Sequence, residues 1–157
     1  MGPKRHQIAV VGAARCDPLL SRKGEEVGRL LAEAGVTLLT GGRGGVMAAA
    51  SRGAHLAGGR TVAISPSLGE SPNATDEVVI ATGMGQARNL VLVLSARAVI
   101  AVGGGWGTLS EIALALKHGI PVVCLESWMP ELPDGAPEPL LQKAESPADA
   151  VQKALRS

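Results

Sequence analysis

Phenylalanine and tyrosine are absent from this 157-residue sequence, and tryptophan occurs only twice, at Trp106 and Trp128. So few aromatic side chains offer little platform for stacking nucleic-acid bases, which argues against a reader of single-stranded DNA or RNA. The core must be built from Val, Leu, Ile, Ala and Met. A surplus of one charge is also missing: 15 Lys and Arg stand against 14 Asp and Glu, a formal net charge of +1. That balance gives no electrostatic case for a nucleic-acid or membrane surface. No apolar run reaches the ~18–20 residues needed to span a bilayer. Cysteine is scarce, at Cys16 and Cys124, with no CxxC pair and no His near enough in sequence to suggest zinc. Two reduced thiols and no metal site are expected. The start, MGPKRHQIAVVG, has basic residues and then a short apolar run ending in glycine. It reads as a first strand rather than a signal peptide, so the expected location is cytoplasmic.

Glycine is plentiful, and it sits at the ends of apolar runs. The length suits one domain over residues 1–157. Strand-like runs cover residues 7–12, 36–40, 60–65, 77–82, 98–103 and 121–126. Helical spacing covers 21–35, 46–59, 85–96, 108–119 and 146–157, the last with Ser146 as N-cap and Pro147 at its first position. Residues 66–76 and the proline-rich 127–139 read as loops. Alternating strands and helices, with strands apolar on both faces, predict an α/β Rossmann-like doubly wound parallel sheet with helices on both faces. In such sheets ligands bind beyond the carboxyl ends of the strands.

Three loops follow strands there: GAARCD (12–17), GGRGGVM (41–47) and GGGWGT (103–108). Glycine lets the backbone approach a ligand, and a helix N-terminus favours an anion. The candidate phosphate-binding positions are Gly12, Gly41, Gly42, Arg43, Gly45, Gly104, Gly105, Trp106, Gly107 and Thr108. The plainer alternative is that these glycines only make tight turns. Neither GxGxxG nor GxxxxGK[ST] occurs, so nothing specific points to a dinucleotide dehydrogenase or a P-loop NTPase.

Two charged residues stand out. Glu111 follows Thr108 by three, so TLSE is either a capping box or a loop-side carboxylate available for acid–base work. Arg88 opens a strongly apolar stretch and is either a snorkelling surface residue or an anion clamp. Arg43 either faces the same anion or is solvated. His118 and His55 read as structural.

Taken together, GGRGGVMAAASRGA, GGGWGTLSE and GQARNLVLV resemble the GGxxGxM, PGGxGTxxE and MxxRK motifs of the Lonely Guy or "lysine decarboxylase-like" superfamily. The resemblance covers nearly the whole chain. It implies a Rossmann-like fold, a homodimer or higher homo-oligomer, and Arg88 and Glu111 as a catalytic pair. Members with the full motifs are phosphoribohydrolases that cleave nucleoside 5'-monophosphates to base and ribose 5-phosphate; lysine decarboxylation is not implied. The departures are Asn89 for the motif lysine, Gly103 for its proline and GAA for the first-loop GSS. They resemble a sister branch that includes molybdenum cofactor carriers. That resemblance implies carrier-like binding of a phosphate-bearing ligand, a nucleotide or a molybdopterin-type pterin phosphate, with no required cofactor. Hydrolysis is the alternative. No nucleic-acid partner and no membrane are expected; DNA handling, known on this fold, fits poorly with the charge and the scarce aromatics.

Overall fold

Short runs of Val, Leu, Ile and Ala make the sheet. The computed structural model describes residues 6–69 and 73–157. Its strands are β1 (Gln7–Gly12), β2 (Thr37–Thr40), β3 (Thr61–Ser65), β4 (Val78–Ala81), β5 (Ala98–Val102), β6 (Val122–Leu125) and β7 (Leu141–Ala144). They form one seven-stranded sheet in the order β4-β3-β2-β1-β5-β6-β7, with every pairing parallel. The helices are α1 (Pro18–Glu33), α2 (Val46–Leu56), α3 (Arg88–Ser95), α4 (Trp106–Lys117) and α5 (Pro147–Arg156).

Alternation along the central strands sends side chains to two separate apolar layers. Ile8 and Val10 of β1, with Ile100 and Val102 of β5, pack against α1, α2 and α5. Ala9 and Val11, with Val99 and Ala101, pack against α3 and α4. Both layers are buried, which is why these strands carry no polar face. The doubly wound fold expected from the sequence is therefore the fold observed. Among the described residues, no helix is long and apolar enough to cross a membrane. Cys16 and Cys124 are both free, and burial in β6 pushes the Cys124 thiol up to about 12.

Some boundaries differ from the sequence reading. Helix α1 starts at Pro18, three residues before the expected Ser21, because the Asp17 carboxylate accepts the Leu20 amide at 2.8 Å and Pro18 opens the first turn. Helix α3 is shorter than expected, since residues Gly85–Ala87 form a single 3-10 turn before it. Strand β7 lies in a stretch to which the sequence pattern assigns no element. Ser146 does cap α5, accepting the Asp149 amide at 3.1 Å. The expected loop 66–76 lies partly outside the described residues.

Strand order reverses at β1, which has β2 on one side and β5 on the other. The connections after β1, β2 and β5 consequently open a crevice at the carboxyl edge. On one face of the sheet α1 and α2 approach each other closely. A Cβ at Gly28 would lie 1.9 Å from the Ala50 carbonyl oxygen, and one at Gly53 would lie 2.0 Å from that of Glu25. We expect Gly28→Ala to destabilise the fold by about 1–3 kcal/mol through overpacking, despite alanine's better helix propensity. Gly107→Ala, whose Cβ meets nothing within 4 Å in α4, is expected to be neutral or stabilising. Denaturant melts of the two variants check this; equal midpoints would show that the α1–α2 seam is not tight.

Candidate functional site

The crevice is a cleft of about 300 Å3 lined by Gly12, Ala14, Arg43, Met47, Gln86, Arg88, Asn89, Gly105, Gly107, Thr108 and Glu111. That is the low end of the size range for small-molecule pockets. Its rim is backbone from the loops after β1, β2 and β5. Gly45 is the N-cap of α2 and Gly105 the N-cap of α4, and neither helix has a side-chain cap. By contrast α1 and α5 are closed by Asp17 and Ser146. The Val46 amide, the first of α2, donates to the Ala13 carbonyl at 2.9 Å and ties the β1 and β2 loops together. The positive ends of both helix dipoles lie at the cleft, which takes Met47 from the first turn of α2 and Gly107 and Thr108 from that of α4.

At the back lies a buried ion pair. Arg88 and Glu111 are only 5% and 6% exposed. Arg88 Nη1 is 3.3 Å from Glu111 Oε1, and Nη2 donates to the Gly41 carbonyl at 3.1 Å. Nη1 also donates to Asn89 Oδ1. Asn89 Nδ2 donates to Ser110 Oγ at 3.1 Å, and Ser110 Oγ donates to the Gly107 carbonyl at 2.7 Å. Arg88 Nε is buried with no hydrogen-bond partner among the described residues. A Cβ at Gly41 would lie 2.7 Å from Arg88 Nη2, so a side chain there would displace the guanidinium. Gly104 is constrained: its φ is 111°, and a Cβ would meet Thr108 Oγ1 at 2.2 Å.

Burial dominates the electrostatics. It pushes the Glu111 carboxyl from its ordinary 4.5 up to about 7, with the Arg88 charge pulling back against it. Burial also lowers the Arg88 pKa; the Glu111 charge opposes this and the Arg43 charge adds to it. A carboxyl poised near neutrality in a cleft can hold or release a proton at working pH.

Of the residues expected from sequence, Gly12, Arg43, Arg88, Gly105, Gly107, Thr108 and Glu111 line the cleft. Gly41 and Gly104 shape it from behind, and Gly42 and Gly45 turn the β2–α2 loop with φ of 68° and 59°. Trp106 stands exposed between two lining glycines. The capping-box option is overturned: α4 starts at Trp106, so Thr108 is the third helical residue and not the N-cap. Glu111 points instead to Arg88. Arg88 is not a snorkelling residue either, because it is buried. Sequence reasoning missed Ala14, Met47 and Gln86 as lining residues; Gln86 could have been found from its place two residues before Arg88. His55 falls in the last turn of α2 and His118 caps the end of α4, both at helix ends away from the cleft.

Known proteins extend this picture. The model of the SLOG cluster4 family matches residues 5–154. An uncharacterized protein of Archaeoglobus fulgidus is 44% identical over 154 residues, covering 98% of this chain and 97% of that protein. The molybdenum cofactor binding protein from Rippkaea orientalis superposes with a TM-score of 0.84 at 36% identity, over 99% of each chain. The molybdenum cofactor carrier protein of Chlamydomonas reinhardtii gives 0.84 at 32%, over 98% of each chain. The resemblance read from the motifs holds, on the carrier-like side of the Lonely Guy superfamily.

The raised Glu111 pKa has a signed consequence. The folded state favours the neutral acid, so this group's contribution to stability is full below about pH 4.5 and is lost as pH rises through about 7. Glu111→Gln, which is neutral throughout, lacks that loss. We expect the melting temperature of the variant to gain on the wild type between pH 5 and pH 8. A difference that stays flat across that range would show that Glu111 is not held neutral by burial.

Proposed function

We propose, from the premise that the chain belongs to the SLOG cluster4 family, that it is a carrier-like protein binding a phosphate-bearing small molecule in this cleft. The ligand class is a molybdopterin-type pterin phosphate or a nucleoside 5'-monophosphate. One observation carries the reading: two helices, α2 and α4, present N-termini without side-chain caps to the same small cleft. Such ends are ready-made anion sites. Arg43, exposed on the β2–α2 loop, adds a cation. The names of the two solved relatives, both referring to the molybdenum cofactor, support the pterin side of the class. Binding of this kind needs no additional cofactor. The same reading places the protein in the cytoplasm, acting on a small molecule and not on nucleic acid or membrane. It also has the protein self-associating, for which the half-exposed Val78 and Ile80 on edge strand β4 and Leu94 on α3 offer an apolar surface.

A second reading rests on Glu111. With its carboxyl near 7, it could aid addition of water across the N-glycosidic bond of a bound nucleotide, releasing free base and ribose 5-phosphate. Arg88 would hold and polarise the substrate. Asn89 speaks for the carrier, because it spends its side chain on Arg88 and Ser110 and supplies no cation.

Gly107→Asp tests the binding reading. A Cβ at Gly107 meets nothing within 4 Å, and a carboxylate in the first turn of a helix is favourable to the helix. We expect an unchanged or higher melting temperature, with affinity for GMP and inorganic phosphate reduced by about tenfold or more, the scale of a close like-charge contact. Unchanged affinity would exclude the α4 N-terminus as the anion site. Chromatography of wild type and Glu111→Gln after incubation with nucleoside 5'-monophosphates separates the two readings. The carrier leaves every nucleotide intact; release of free base that Glu111→Gln abolishes would establish the hydrolase instead.

A further inference from the structure

The two aromatic residues of the chain lie 22 positions apart, and the fold brings their rings together beside the cleft-lining Gly105 and Gly107. The ring centroids of Trp106 and Trp128 are 5.3 Å apart with planes inclined at 30°. Trp128, in the loop after β6, is well held. Its ring packs against the apolar layer beneath α3 and α4, and its indole N–H donates to the Gly105 carbonyl at 3.0 Å. The neighbouring Ser127 Oγ donates to the Gly103 carbonyl at 2.5 Å. The turn into this pair is made by Glu126, a non-glycine residue at φ 52°, whose carboxylate meets Lys23 Nζ at 2.5 Å. Positive φ in a side-chain-bearing residue persists only where the surroundings fix it. The loop is thus tied to the glycine loop by two donors and held by an ion pair.

Trp106 has the opposite character. It is the first residue of α4, sits between the cleft-lining Gly105 and Gly107, and is 78% exposed. Large exposed aromatic surface at a cleft is a recognition feature more than a packing one. We infer that Trp106, backed by Trp128, is a stacking seat for a planar heteroaromatic ring whose phosphate lies at the N-termini of α2 and α4. This rests on the phosphate reading of the cleft. It narrows the ligand class to phosphomonoesters that carry a purine or pterin ring, and it excludes plain sugar phosphates as the preferred cargo. A cleft of about 300 Å3 has little room for a fused ring beside a phosphate, so the ring extends to the rim where Trp106 stands. Because Trp128 is bonded to Gly105, the seat and the phosphate loop share one rigid frame. That frame selects for the spacing between ring and phosphate. Stacking accepts any flat π-face, so purine and pterin share this chemistry and only measurement separates them.

Titration calorimetry of the wild type, Trp106→Ala and Trp106→Leu with four probes tests this: GMP, neopterin monophosphate, ribose 5-phosphate and guanosine. We expect the wild type to bind at least one ring-bearing phosphate about tenfold or more tighter than ribose 5-phosphate, the scale of one stacked base. Both variants lose that margin while their affinity for ribose 5-phosphate is kept. The ring ligand with the larger margin identifies the source. Equal binding of GMP, neopterin monophosphate and ribose 5-phosphate by the wild type would overturn the seat and leave the phosphate reading standing. So would a parallel loss of all three in the variants, which would make Trp106 a support for the loop. Guanosine binding that depends on Trp106, with no gain from any phosphate, would keep the seat and overturn the phosphate reading. Binding of none of the probes overturns both. A variant that changes only the mass seen by light scattering, with the ring margin intact, would make Trp106 a subunit contact and overturn the seat.

Discussion

A guanidinium inside an aliphatic fold needs partners, and partnering the two Nη groups of Arg88 organises the whole site. The donors reach the Gly41 carbonyl after β2, Asn89 on its own helix and Glu111 on α4. Asn89 continues the chain to Ser110, and Ser110 to the Gly107 carbonyl. One side chain thus fixes the loop after β2, the start of α3 and the first turns of α4 relative to each other. The two uncapped helix ends are held in place by this network. Removing either member of such a buried pair leaves the other uncompensated, which is costlier than the pair's own net contribution.

The pair also sets the acid–base character of the cleft. Burial raises the affinity of Glu111 for a proton, and the charge of Arg88 lowers it. The balance lies close to neutrality, so a modest change in the surroundings shifts the carboxyl towards an inert acid or an active base. Asn89 is one such element. A lysine there would add a cation beside the pair, whereas asparagine adds a donor and an acceptor that lock Arg88 into the protein.

Much of this was legible in the sequence, for identifiable reasons. AVIAV is apolar at every position because β5 is covered on both faces, and that pattern has few other causes. The glycine loops were legible because each closes an apolar run. Strand β7 was not: LQKA carries Gln and Lys because an edge strand has one half-covered face, and only Ala144 is buried. The start of α4 was misplaced because the local rule seeks a polar cap and Thr108 offered one. The helix begins earlier, at a glycine with no cap to give, and local propensity does not record a helix end left open. Whether Arg88 was surface or core lay beyond local pattern, since its partners Gly41 and Glu111 are 47 and 23 residues away.

The aliphatic core has an optical corollary. With no Phe or Tyr in the chain, near-ultraviolet absorbance and circular dichroism arise from Trp106 and Trp128, stacked at the rim of the cleft. Loss of near-ultraviolet dichroism is ordinarily a sign that tertiary packing has melted. Here the core is invisible at those wavelengths, and the signal reports only the disposition of two rings on the β6 and α4 loops. A local loosening of that rim would imitate a molten globule, while a softened core beneath an intact rim would pass for native.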